Sequence, residues 1–202
     1  MLSTLLPMFV FAIASTGTPG PNNIMVMTSG ANFGYWRTVP HMLGIALGFS
    51  GMVVALGLGF SQLFAVYPQV HEMLKWMGTG YLLFLAWKIA TAAKPEDAEA
   101  NGAKAEGAPL TFVQAALFQW VNPKAWMVGI AGLTAFTSND GNYELQTLII
   151  AGVFLAVSFP LSSFWCSFGT IIGRFLTSLR SLRIFNGAMA TLIVGSIVLL
   201  YV

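Results

Sequence analysis

Lys124 stands near the middle of the apolar stretch Leu110 to Phe136, directly after Asn122 and Pro123. A charge at the centre of a bilayer costs ~2.5–3.5 kcal/mol on insertion scales, so a lysine there marks a functional position unless it snorkels to an interface. No carboxylate accompanies it. The acids Glu72, Glu96, Asp97, Glu99, Glu106, Asp140 and Glu144 all fall in loops or at the ends of apolar stretches. The chemistry on offer is capture of an anion, and the expected partner of Lys124 is the carboxylate of a substrate. A second polar interruption, Thr18-Pro19-Gly20-Pro21-Asn22-Asn23, divides the apolar runs Leu5 to Ala14 and Ile24 to Met27. Proline has no N–H, so Pro19 and Pro21 deprive the carbonyls of Ser15 and Gly17 of their helical donors. The helix restarting after Pro21 aims the N–H groups of Asn22, Asn23 and Ile24, and its positive dipole end, at the break. Pro19, Gly20, Pro21, Asn22 and Asn23 are therefore the expected first half of a substrate site, and Asn122, Pro123 and Lys124 the second. The prolines and Gly20 open the backbone, the asparagines hold polar substrate atoms, and Lys124 supplies charge. Gln119 and Trp120 are further candidates for the wall, the tryptophan equally able to face lipid.

Other chemistries lack their residues. The single cysteine, Cys166, permits neither an internal disulfide nor a dithiol redox pair, and reads as a small buried apolar side chain. A divalent-cation exporter needs His, Cys or carboxylate ligands inside the spans. Only Cys166 lies within one away from its ends. An intramembrane enzyme needs a base deep enough to activate Ser15, Ser50 or Ser158, and none is placed for it. His41 and His71 fall near span ends and are expected at an interface. Neither an enzyme, a metal nor a cofactor is expected, and a net charge of +2 gives no pull toward nucleic acid. Proton-driven transporters commonly use an intramembrane Asp, Glu or His. Two drives stay open here: protons carried by Lys124 or a histidine, or a facilitator that lets solute run down its gradient.

Long apolar elements must position these residues. The 202-residue chain is 56% hydrophobic and 8% charged, against about 25% charged in soluble domains. A span needs about 20 apolar residues, so the length allows roughly six helices with short loops. The first covers residues 2–31, broken at 18–23; the second and third cover 41–67 and 73–93. The fourth covers 110–136, broken at 119–124; the fifth, 145–173, carries Pro160 as an expected kink; the sixth follows Arg183 to the end. Gly44, Gly48, Gly51, Ala55 and Gly59 put small residues at helical spacing on span two, the pattern of close helix contact in lipid. That face can serve within the bundle or between protomers, so a homo-oligomer is left open. Residues 94–109 form the one long hydrophilic segment, and Thr137 to Asn142 is a turn cluster. Ala12-Ile13-Ala14 could pass for a cleavage site, but no Lys or Arg precedes it, as a secretory signal requires. The stretch reads as half of a retained helix.

The fold class expected is an all-α integral membrane protein: six transmembrane helices as two inverted three-helix repeats with broken first helices. Residues 1–93 form the first repeat, 94–109 a cytoplasmic loop, and 110–202 the second repeat. An odd number of spans per half makes the halves insert with opposite topology, and broken helices at matching places point to a transport site. Arg37, Lys88, Lys94, Lys104, Arg174, Arg180 and Arg183 border loops one, three and five, with Lys75 alone on the other side. The positive-inside bias puts those loops in the cytoplasm and both termini outside.

The two broken motifs, Thr18-Pro19-Gly20-Pro21-Asn22-Asn23 and Trp120-Val121-Asn122-Pro123-Lys124-Ala125, together with Gly44-Ile45-Ala46-Leu47-Gly48, resemble the LysE/RhtB superfamily of small amino-acid exporters over essentially the whole chain. Leu85-Ala86-Trp87-Lys88-Ile89-Ala90-Thr91 and the Pro-Asn-Asn form of the first motif look most like the branch exporting cysteine and O-acetylserine. The resemblance implies six spans in a bacterial inner membrane, an amino-acid substrate exported from the cytoplasm, and drive by the proton gradient. Many members carry an Asp just after the Gly-xxx-Gly of span two, whereas Phe49-Ser50-Gly51 stands there in this chain. With no carboxylate to receive a lysyl ammonium or guanidinium, small neutral amino acids fit better than basic ones. Competing readings are a facilitator for homoserine, threonine or leucine, a metal-ion exporter, and an intramembrane enzyme.

Overall fold

The computed structural model describes residues 2–60, 68–92, 108–138 and 142–198. Eight α-helices fill them: α1 (Leu2–Gly17), α2 (Pro21–Phe33), α3 (Tyr35–Ala55), α4 (Pro68–Ala90), α5 (Phe112–Val121), α6 (Pro123–Phe136), α7 (Tyr143–Phe175) and α8 (Leu179–Val198). A π-helical turn, Leu56–Phe60, extends α3. No strand occurs among the described residues. Tyr35–Gly59, Tyr143–Phe175 and Leu179–Val198 are each long and apolar enough to cross a membrane. The helices α1, α2, α5 and α6 are each shorter than the roughly 20 residues a crossing needs, so they reach that length only as the pairs α1–α2 and α5–α6.

Local chemistry sets the boundaries. Gly20 is extended and Pro21 occupies the first helical position of α2, where its missing N–H is no loss. The first break is thus confined to residues 18–20, narrower than the expected 18–23, and Asn22 and Asn23 belong to the first turn of α2. The second break, expected over 119–124, contracts to Asn122 alone, held extended at φ −90° and ψ 107° because the next residue is Pro123. Gly34, at φ 81°, makes a one-residue turn that starts α3 at Tyr35 rather than near His41. A capping box between Thr111 and Gln114 opens α5. The helix α7 runs through Pro160 without interruption. Most of the polar loop expected at 94–109 lies outside the described residues, as does the middle of the turn at 137–142.

The long helix α7 is the mast of the bundle. It packs against α1, α2 and α3, while α5 packs on α3 and α4 on α8. A side chain added at Gly30 of α2 would strike the backbone of Cys166, and one at Gly169 or Gly173 of α7 would strike that of Met27 or Ala31. Backbone therefore lies against backbone along α2 and α7, the van der Waals contact that drives association where lipid offers no hydrophobic gain. On span two, Gly44 and Gly48 meet α5 in the same way, through Phe112 and Ala116, so this part of the small-residue face serves the bundle; Gly51 meets nothing. Cys166 is fully buried, as expected. Large apolar side chains such as Val10, Leu83, Leu117, Phe164 and Ile184 point outward instead, a surface suited to lipid.

Candidate functional site

The site grows from the carbonyls that the first break strands. Each finds a replacement donor from outside the helix ladder. The Thr18 hydroxyl donates to the Ser15 carbonyl at 3.0 Å, and the Asn23 amide donates to the Thr16 and Thr18 carbonyls, both at 2.8 Å. Trp165 on α7 donates its indole N–H to the Gly17 carbonyl at 3.3 Å. Buried backbone groups require such partners, which is why a short polar side chain two residues after Pro21 and a tryptophan on a distant helix both serve the same break. The Asn23 amide is therefore committed to the backbone. The Ile24 N–H, expected to face the break, is taken by the Gly20 carbonyl at 3.0 Å. Helix geometry leaves the backbone N–H groups of Asn22 and Asn23 as the pair without a helical acceptor at the start of α2.

Lys124 bridges the two breaks. Its ammonium donates to the Thr18 carbonyl at 2.8 Å and to the Thr18 hydroxyl at 2.7 Å. Two of three ammonium hydrogens are spent on neutral oxygens, which leaves one for a ligand. Gly20 makes the approach feasible, since a Cβ there would lie 2.9 Å from Lys124 Cδ. Beside them Asn22 and Gln119 exchange hydrogen bonds in both directions, at 2.8 and 3.2 Å, which joins α2 to α5. Gln119 also holds the Ala115 carbonyl and is fully buried. The Asn122 N–H reaches the Gln119 carbonyl at 3.3 Å, so that carbonyl has a donor although Pro123 offers none.

These groups wall a cavity of about 50 Å³, several times what one water needs. Of the residues expected from sequence, Gly20, Asn22, Asn23, Asn122 and Lys124 line it. Pro19, Pro21 and Pro123 do not; they shape the backbone from behind. Gln119 is a wall residue, whereas Trp120 packs edge-on to Trp126 instead. Sequence reasoning missed Ser158 and Ser162 of α7, and the apolar wall of Ile45, Phe49, Val128 and Leu161. The helical spacing of Ser158, Ser162 and Cys166 on one small, polar stripe of α7 was the available signal. Two buried oxygens on lining residues, Asn122 Oδ1 and Ser158 Oγ, have no hydrogen-bond partner among the described residues. The site thus presents one ammonium and two open acceptors. No group of His, Cys, Asp or Glu among the described residues could hold a metal ion. His41, expected at an interface, is 1% exposed: the early start of α3 carries it nearly two turns into the bundle. The side chain of His71 lies outside the described residues.

Two helices broken within apolar stretches, with polar groups converging on the breaks and large apolar side chains outside, define the architecture of a membrane transport protein. The chain belongs to the LysE type translocator family, which it matches over residues 13–201; it is a translocator and not an enzyme. It is 35% identical over 138 residues, 67% of either chain, to the cysteine/O-acetylserine efflux proteins of Escherichia coli strain K12 and Shigella sonnei strain Ss046. The protein of the same description from Escherichia coli O1:K1 is 33% identical over the same length. No solved structure matches the chain.

Proposed function

We propose that this translocator exports small neutral amino acids from the cytoplasm, cysteine and O-acetylserine being the first candidates. The observation that carries the reading is the pairing of the Lys124 ammonium with two unpartnered buried oxygens, Asn122 Oδ1 and Ser158 Oγ, around one cavity. A zwitterion answers both: its carboxylate takes the remaining Lys124 hydrogen with the amides at the start of α2, and its ammonium takes the oxygens. A buried polar group left unpaired costs about 1–3 kcal/mol, so filling the site recovers that loss. A second cationic group would meet no carboxylate there, which disfavours lysine and arginine. The apolar wall of Phe49, Ile45 and Val128 suits a short side chain. The names of the relatives at 35% identity support the same substrates.

The arrangement of helices supports two inverted repeats, 1–93 and 110–202. The first half-helix of each repeat packs on the long helix of the other, α1 on α7 and α5 on α3, while the last helices α4 and α8 pack together. Such an exchange is what a two-fold relation requires. The charge bias of the loops places loops one, three and five in the cytoplasm of a bacterial cell, with both termini outside. Proton-gradient drive is the reading that the family suggests; a facilitator is favoured by the absence of carboxylates from the spans. Counterflow of labelled cysteine and O-acetylserine into proteoliposomes, with and without an imposed pH gradient, tests the substrate and the drive. Flux raised by the gradient supports a proton-coupled exporter, and flux indifferent to it a facilitator. Absence of flux for these and other neutral amino acids sinks the proposal.

A further inference from the structure

A second cavity of about 50 Å³ lies toward the other end of the α2–α3 pair. Thr28 and Asn32 of α2, His41 of α3, Lys88 of α4 and Leu110 ahead of α5 line it. His41 is 1% exposed, and among the described residues neither of its ring nitrogens has a hydrogen-bond partner. A neutral imidazole carries one donor and one acceptor, so a buried ring with both unmet awaits an occupant. Lys88 is half-buried, and among the described residues its ammonium has no hydrogen bond or ion pair. Its place in the last turn of α4 suits the negative helix end, which accounts for the charge but not for the orphaned imidazole beside it.

The remaining polar groups of the cavity are already engaged. The Asn32 amide donates to the Thr28 carbonyl at 2.8 Å and to Asn186 Oδ1 at 2.9 Å, and Asn186 returns a bond to Asn32 Oδ1 at 3.1 Å. Asn186 also donates to the Ala92 carbonyl, so this lock ties the ends of α2, α4 and α8 together. Ser29 and Thr38 pair with one another. No carboxylate lines the cavity among the described residues. What is left open is a cation and an imidazole, the donor set for an anion.

The two cavities are stacked along the same helices. Asn22 lines the first and Asn32 the second, ten residues apart on α2 or about 15 Å at helical rise. Phe49 and His41 repeat the order on α3. Between the two levels stand Ile24, Met25, Met42 and Ile45, all buried in one apolar cluster. We propose that the cavity at His41 and Lys88 is a second carboxylate-binding subsite, which receives the amino acid on the face of loops one, three and five, with the apolar layer as the closure between it and the Lys124 site. Lys88 takes the carboxylate and His41 adds a hydrogen bond. This rests on the amino-acid export reading.

The test is labelled cysteine flux in inverted and right-side-out membrane vesicles containing the full chain, with cysteine and its decarboxylated analogue cysteamine as competitors. Lys88→Gln is expected to raise KM roughly tenfold on one face only. On that face the wild type favours cysteine over cysteamine, and the preference falls toward one in Lys88→Gln and returns in Lys88→Arg. His41→Phe weakens the same face, whereas His41→Gln, which keeps a donor and an acceptor, retains most of it. Flux in the wild type with KM and preference unaltered in Lys88→Gln overturns the subsite and leaves the export reading standing. An equal change on both faces also overturns it, as a general structural effect. No wild-type flux of cysteine, O-acetylserine or any other neutral amino acid defeats the export reading, and the subsite falls with it.

Discussion

At the scale of single residues, the break is held by side chains that replace backbone partners, and each can be tested separately. Lys124 gives two hydrogens to Thr18, and in the proposed function the third takes the substrate carboxylate. A hydrogen bond to a charged group is worth about 1.5–3 kcal/mol. Lys124→Met is therefore expected to lower kcat/KM by roughly 10- to 100-fold with the melting temperature in detergent little changed. Normal flux in this variant would remove the lysine from the mechanism. The Asn22–Gln119 pair makes a different prediction. Gln119→Leu leaves the part-buried side-chain N–H and C=O of Asn22 unmet and is expected to destabilise the fold by about 1–3 kcal/mol, whereas the double change with Asn22→Leu recovers much of that loss. Thermal unfolding of the four proteins in one detergent gives the coupling directly; additive losses would show that the pair is not coupled.

At the scale of elements, the α2–α7 seam positions the site, because it fixes Asn22 and Asn23 against Ser158 and Ser162. Its closeness depends on the absence of side chains at Gly30, Gly169 and Gly173. Gly169→Ala drives a methyl into the Met27 backbone and is expected to cost about 1–3 kcal/mol, as overpacking does. Gly152 lies on the same helix with nothing near its missing side chain. Gly152→Ala is expected to be neutral or to stabilise by about 0.5–1 kcal/mol through helix propensity. Opposite shifts of the unfolding midpoint are the expected pattern. A matching shift in both variants would mean that propensity, rather than packing, dominates at the seam.

At the scale of the whole molecule, the lock among Asn32, Asn186 and the Ala92 carbonyl gathers the ends of α2, α4 and α8 on one side. The turn at Gly34, the end of α4 and the turn between α7 and α8 belong to that side, and among the described residues Arg37, Lys88, Arg174, Arg180 and Arg183 flank them. In a Cys166→Ala background, a cysteine at exposed Trp36 is expected to react with an impermeant maleimide only in inverted vesicles. One at exposed Glu72 is expected to react only in right-side-out vesicles. The reverse pattern would turn the proposed orientation over. The single native thiol is buried, so its removal leaves a clean background for labelling.

Much of this was legible from local chemistry. Proline removes a donor whatever surrounds it, so Pro19, Pro21 and Pro123 announced both helix breaks, and composition announced a helical membrane protein. Lys124 stood out because charge in an apolar stretch is costly wherever the chain folds. Which groups repair the breaks depended on contacts between helices far apart in sequence. Nothing near Gly17 foretold the Trp165 indole, and nothing near Asn122 foretold Ser158. The depth of His41 escaped for the same reason: it follows from the one-residue turn at Gly34 and from α4 and the segment ahead of α5 lying beside it. Sequence alone determined that the two proline-asparagine segments interrupt their helices and which charge remains among them, since those follow from bonds that residues cannot make. Tertiary structure alone decided which oxygens stay unpaired and which cavities they line, since satisfying a buried polar group depends on what packs against it.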